Sequence, residues 1–133
     1  MADLTAASRA AERLLESKES LALEITEALY ARMPELMAKY GEYGRGKCLQ
    51  DMRYNLEHLA PAVDLGRPDM FAGYVRWLDG LLRARGVSTH EVAVSLELSE
   101  DRIRARFPED EAEAIFPSLR AGLAELPPGG GTP

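Results

Sequence analysis

The stretch GRGKCLQDMRYNLEHL, residues 44 to 59, holds the chain's single cysteine and one of its two histidines. On a helix, Cys48, Asp51, Asn55 and His58 fall at offsets 0, 3, 7 and 10. That spacing lines up a thiol, a carboxylate, an amide and an imidazole in one narrow stripe, about 15 Å long at 1.5 Å per residue. Tyr54 lies on its edge. A stripe facing an ordinary core would be aliphatic, so this one invites a chemical reading. Gly44 and Gly46 mark a boundary just before it, which puts Cys48 in the first turn of the helix that follows. There the helix dipole favours thiolate, and Lys47 and Arg45 add positive charge. A lone cysteine on a helix is more often an inert small hydrophobe. Position and charge bring the reactive reading level with that one.

The elements that must carry this stripe read as helices almost throughout. Ala7, Ala10, Ala11, Leu14 and Leu15 share one helical face, and Leu21, Ile25, Leu29 and Met33 continue in steps of four. One helix or two, broken near residues 17–20, both fit this pattern. Pro34 ends or kinks the segment, and PELMAKYG forms a short turn closing at Gly41. Residues 48–65 carry large apolar residues at Leu49, Met52, Leu56, Leu59 and Val63. Pro68, Asp69, Arg83 and Gly86 sign both ends of the next helix. Ser88 with Glu91 makes the capping box of another, running to about Arg106. Pro108 and the acidic residues after it open the last, with a kink expected at Pro117 and the 109–113 run expected to be a solvated face. VAVSLELS alternates, yet its capping box favours helix. The expectation is an all-α domain of six or seven helices over residues 1–125, as a simple bundle or a globin-like stack, with a flexible tail over 126–133.

Composition narrows the function. A chain of 133 residues suits one domain, and 46% hydrophobic with 29% charged residues is an ordinary globular balance. One cysteine excludes an internal disulfide and a multi-cysteine zinc site, and fits a reducing cytoplasm. A net charge of −6 argues against nucleic acid as partner, and there is neither an 18-residue apolar run nor a signal-peptide pattern, so no membrane partner is expected. There is no Gly-rich phosphate loop, H-E-x-x-H, C-x-x-C or G-x-S-x-G, so the expectation is a protein that is not an enzyme.

The string KCLQDMRYNL, of the form C-x-x-D-x-x-Y-x-L, resembles the chromophore-binding helix of the phycobiliproteins. The similarity continues to Gly66 and to the ARGVS turn, about 45 residues in all. It implies a globin-like fold and a bound linear tetrapyrrole. On that resemblance Cys48 is the attachment point through a thioether, Asp51 the acceptor for the inner pyrrole N–H groups, and Tyr54 a wall of the pocket beside Lys47. Asn55 and His58 share the stripe. Where the family has an arginine before the aspartate, this chain has Gln50, so the propionates fall to other cations, with Arg45, Arg53, Arg76 and Arg83 as candidates. Walls could come from Tyr74, Trp77 and Phe71, although Phe71 reads more readily as core.

The segment from PELMAKYG to LLRARGV, above all FAGYVRWLDGLLRARGV, is also similar to the helical domain that precedes cobalamin-binding domains in some bacterial regulators. In some of those proteins the domain is itself a biliverdin-binding sensor. Together the two resemblances imply a bacterial bilin-binding globin domain taking biliverdin, a chromoprotein or light sensor expected to form a homodimer. The rival is a helical dimerisation module of a regulator, without ligand. Haem, with His58 as the proximal ligand, would leave Cys48 and Asp51 without purpose. A thiol redox sensor would lack a resolving cysteine.

Overall fold

Thr5 opens the first helix, its Oγ1 accepting a 3.0 Å hydrogen bond from the Ser8 amide. The computed structural model describes residues 5–127. Six helices follow one another: α1 (Ala6–Glu16), α2 (Lys18–Arg32), α3 (Glu35–Asp64), α4 (Pro68–Ala84), α5 (Thr89–Arg106) and α6 (Glu109–Ala124). The architecture is an all-α stack, with no strand among the described residues. The expected tail falls mostly outside them.

The boundary between α1 and α2 is Ser17, whose Oγ donates to the Arg13 carbonyl at 2.6 Å and closes α1. Ala10, Ala11 and Leu14 are buried, as their spacing predicts, whereas Leu15 is exposed. α3 contains a sharp break at Gly41, where φ is +67° and ψ −170°. Such a conformation strains any residue with a Cβ. A helical piece over 35–40 therefore precedes a long one over 42–64. Gly44 and Gly46, expected to punctuate the boundary, lie inside that long helix. Cys48 consequently sits well past its first turn, away from the dipole's positive end.

Pro68 takes the first position of α4, and Gly86, with φ +85°, lies beyond its end. The capping box forms as expected: Ser88 Oγ accepts from the Glu91 amide at 3.2 Å, and Glu91 Oε2 accepts from the Ser88 amide at 2.9 Å. VAVSLELS is helical, and its buried Ser95 and Ser99 donate to carbonyls of their own helix, Val92 and Ser95. α6 runs on through Pro117.

α3 packs against α1 and α2, while α4 packs most extensively against α6. At that contact Gly122 lets the two helices approach so closely that an added Cβ would stand 2.8 Å from Val75 Cγ2 and 3.0 Å from Phe71 Cε2. Phe71 is a core residue, 1% exposed. The acidic run at the start of α6 is only partly solvated. Glu111 is buried and pairs with Arg13 at 2.5 Å and with Arg9 at 3.8 Å, joining α6 to α1.

Candidate functional site

Between α2, α3, α4 and α5 lies a cavity of about 960 Å³, at the upper end of the range for small-molecule sites. The α3 stripe forms one side of it: Lys47, Cys48, Asp51, Tyr54, Asn55 and His58 all line the cavity. Tyr74 and Trp77 on α4 line it as well. Sequence spacing thus brought eight proposed residues to one place.

Three expected cations stay away from it. Arg53 pairs with Glu19 on α2 at 2.6 Å, and Arg76 pairs with Glu125. Arg45 lies with its guanidinium 5.8 Å from the centre of the Tyr30 ring and does not line the cavity. Arg83, also considered, pairs with buried Asp79 at 3.1 Å. The basic groups that do line it are Lys39, Lys47 and Arg85.

One end of the cavity is aromatic. The His58 and Tyr74 rings stack with centroids 4.1 Å apart and 13° between planes, and Tyr74 contacts Trp77 at 6.0 Å. His58 Nδ1 lies 2.9 Å from the Tyr54 carbonyl oxygen. A carbonyl only accepts, so Nδ1 donates in this contact. Burial pushes the Tyr74 hydroxyl upward, and the negative charges of Asp51 and Glu57 add to the effect. Tyr74 remains a neutral donor. Trp77 is 60% exposed and stands at the mouth.

The other end combines tyrosines and cations. Lys39, at 4.9 Å from the Tyr40 ring centre, and Lys47, at 5.6 Å from that of Tyr43, lie over aromatic faces. Tyr40 donates to Glu91 Oε2 at 3.1 Å, and Lys39 Nζ lies 3.5 Å from the same oxygen. Lys39 and Tyr40, which precede the Gly41 break, thus reach α5.

Between the two ends sit Cys48 and Asp51. Burial and the neighbouring Asp51 charge push the Cys48 thiol up to about 12, with the Thr26 hydroxyl acting the other way. The thiol is neutral at physiological pH, which favours the inert one of the two readings that the sequence left level. Asp51 is half-buried, and burial raises its carboxyl above the ordinary value while Arg85 and Lys47 oppose the shift. Its carboxylate makes no hydrogen bond and no ion pair with any described residue. A half-buried carboxylate in that state has strong unused acceptor capacity.

Sequence reasoning missed Tyr30, Tyr40, Tyr43, Lys39, Arg85 and Glu91 as lining residues. Of these, Glu91 was visible as a capping residue and Arg85 as a neighbour of Gly86. Among the described residues no group of three or more His, Cys, Asp or Glu side chains is arranged to hold a metal ion, and no helix is long and apolar enough to cross a membrane. No protein-family model and no curated protein matches the chain.

Proposed function

We propose that the cavity binds a linear tetrapyrrole, biliverdin being the pigment in view, and that the chain serves as a chromoprotein or light-sensing domain of globin-like type. The observation that carries this reading is Asp51. Its unengaged carboxylate lies inside a cavity with aromatic side chains at both ends. A ligand that uses it must present N–H donors from within an extended apolar body, as the inner pyrrole nitrogens of a bilin do. Pairing with Asp51 would keep those nitrogens protonated. The bound pigment would supply visible and far-red absorption.

The residues present fit such a group. Tyr74 and Trp77 offer flat walls, Lys47 and Arg85 offer cations, and Cys48 offers sulfur for a thioether one turn from Asp51. Because that thiol is neutral, attachment is slow compared with an activated cysteine. His58 lies flat on Tyr74 and serves better as a wall than as an axial ligand for haem.

The test is co-expression with a haem oxygenase. The expected result is a far-red absorption band, with zinc-induced fluorescence of the denatured chain that Cys48→Ala removes. Asp51→Asn shifts the band to the blue or bleaches it. A colourless wild-type protein would overturn the reading. A band that persists in Cys48→Ala would limit the loss to covalent attachment. The rival reading, a dimerisation module without ligand, draws on the exposure of Tyr43 and Trp77, at 79% and 60%. It requires a colourless dimer in which Trp77 is shielded.

A further inference from the structure

We propose that the Asn55 amide donates to a neutral carbonyl oxygen of the ligand, one helical turn beyond the N–H groups that Asp51 receives. The inference rests on the tetrapyrrole reading and narrows it to pigments that end in a lactam, whose ring carbonyl is such an oxygen. Asn55 is 5% exposed and lines the cavity. Its Oδ1 is taken by the Tyr74 hydroxyl at 2.6 Å, which fixes the plane of the amide. The nitrogen carries two N–H groups. The only acceptor it meets among the described residues is the Met52 sulfur, at 3.8 Å, and a thioether is a weak acceptor. A buried amide in this state gains by meeting an oxygen.

Charge decides what kind of oxygen fits. Asn55 stands between Asp51, four residues earlier, and the stacked rings of His58 and Tyr74. The charges that act on the Tyr74 hydroxyl beside it are those of Asp51 and Glu57, both negative. A carboxylate at this point would meet like charge, whereas a neutral carbonyl would not. Asp51 and Asn55, at i and i+4 on one helical face, are about 6 Å apart along the axis at 1.5 Å per residue. The stripe thus offers an acceptor and then a donor. Its complement is a ligand whose N–H groups are followed, at about that spacing, by a carbonyl. A closed porphyrin ring has the N–H groups without that carbonyl; an open-chain pigment ending in a lactam has both.

Asn55 is the chain's only asparagine, so asparagine labelled with nitrogen-15 gives one side-chain amide signal that needs no variant to assign. On binding biliverdin, one of its two protons is expected to move downfield and to exchange more slowly with solvent. Infrared spectra of bound biliverdin supply the other half of the contact. One of the two terminal carbonyl stretches should lie at lower wavenumber in the wild type and in Tyr74→Phe than in Tyr74→Phe/Asn55→Leu. The double variant makes both partners of the internal hydrogen bond apolar and strands neither, and far-UV circular dichroism checks its fold. It is expected to bind biliverdin about tenfold more weakly than Tyr74→Phe alone. Weaker binding with the carbonyl bands unmoved would make Asn55 a purely structural residue and overturn the proposal. Bound pigment that leaves the amide protons unmoved does the same, and the tetrapyrrole reading survives both results. A wild-type chain that takes up no biliverdin overturns that reading and the role of Asn55 with it.

Discussion

The Tyr74 hydroxyl donates a 2.6 Å hydrogen bond to Oδ1 of Asn55, tying α4 to α3 across the aromatic end of the cavity. Asn55 is 5% exposed, and its amide nitrogen has only the Met52 sulfur as partner, at 3.8 Å. Tyr74→Phe removes the donor and leaves a buried acceptor unsatisfied. The expected cost is about 1–2 kcal/mol, read as a lower urea midpoint with unchanged slope. An unchanged midpoint would show that the hydrogen bond contributes nothing net.

Under the proposed function, Asp51 sets stability against binding. Its folded-state pKa lies above the ordinary value of 3.8 because burial disfavours the charged form. The fold therefore binds that proton more tightly than the unfolded chain does. Below the unfolded value the group carries no penalty, and the penalty grows as pH rises through the raised folded value. Asp51→Asn should thus raise the melting temperature of the pigment-free protein at neutral pH, and the gain should vanish near pH 3. A variant less stable than wild type at pH 7 would contradict this sign. If the tetrapyrrole proposal holds, the same substitution damages pigment binding.

Cys48 should be a slow thiol. A shift from 9.0 to about 12 leaves about a thousandfold less thiolate at neutral pH. Alkylation by iodoacetamide is expected to lag far behind a free thiol at pH 8 and to accelerate with pH up to about 12. Reaction at the free-thiol rate would mean that the cavity opens in solution.

Gly122→Ala tests the contact between α4 and α6. The new methyl group meets Val75 and Phe71 inside van der Waals distance. Overpacking of this kind costs about 1–3 kcal/mol, and a lower melting temperature is expected. Val75→Ala in the same chain should recover part of the loss, because it removes the closest opposing atom.

Local signals were legible in the sequence because their physics is local. Ser88 and Glu91 are three residues apart, Pro68 and Gly86 act through their own backbones, and the α3 stripe needs only helical periodicity. The arginines were not legible. Arg53 meets Glu19 and Arg76 meets Glu125, partners 34 and 49 residues away in the chain. Until the helices are packed, nothing distinguishes a cation free to bind a ligand from one that clamps two helices. The break was misplaced for a related reason. Gly41, Gly44 and Gly46 are equivalent as letters, and only the left-handed backbone at Gly41 separates them. That shift of a few residues carries Cys48 from a helix end into a helix interior, where burial and the Asp51 charge hold it as a thiol.

Glu91 Oε2 receives the Ser88 amide and hydroxyl, the Tyr40 hydroxyl and the Lys39 ammonium. One oxygen thus starts α5 and also shapes one end of the cavity. Sequence change there is constrained by folding whatever the ligand. Asp51 and Arg85 carry no such structural duty, since neither makes a hydrogen bond or an ion pair with a described residue, and Lys47 meets only the exposed Tyr43 ring. The cavity is therefore divided between a wall frozen by folding and a wall free to drift, and a lineage could retune its ligand on the second without disturbing the first.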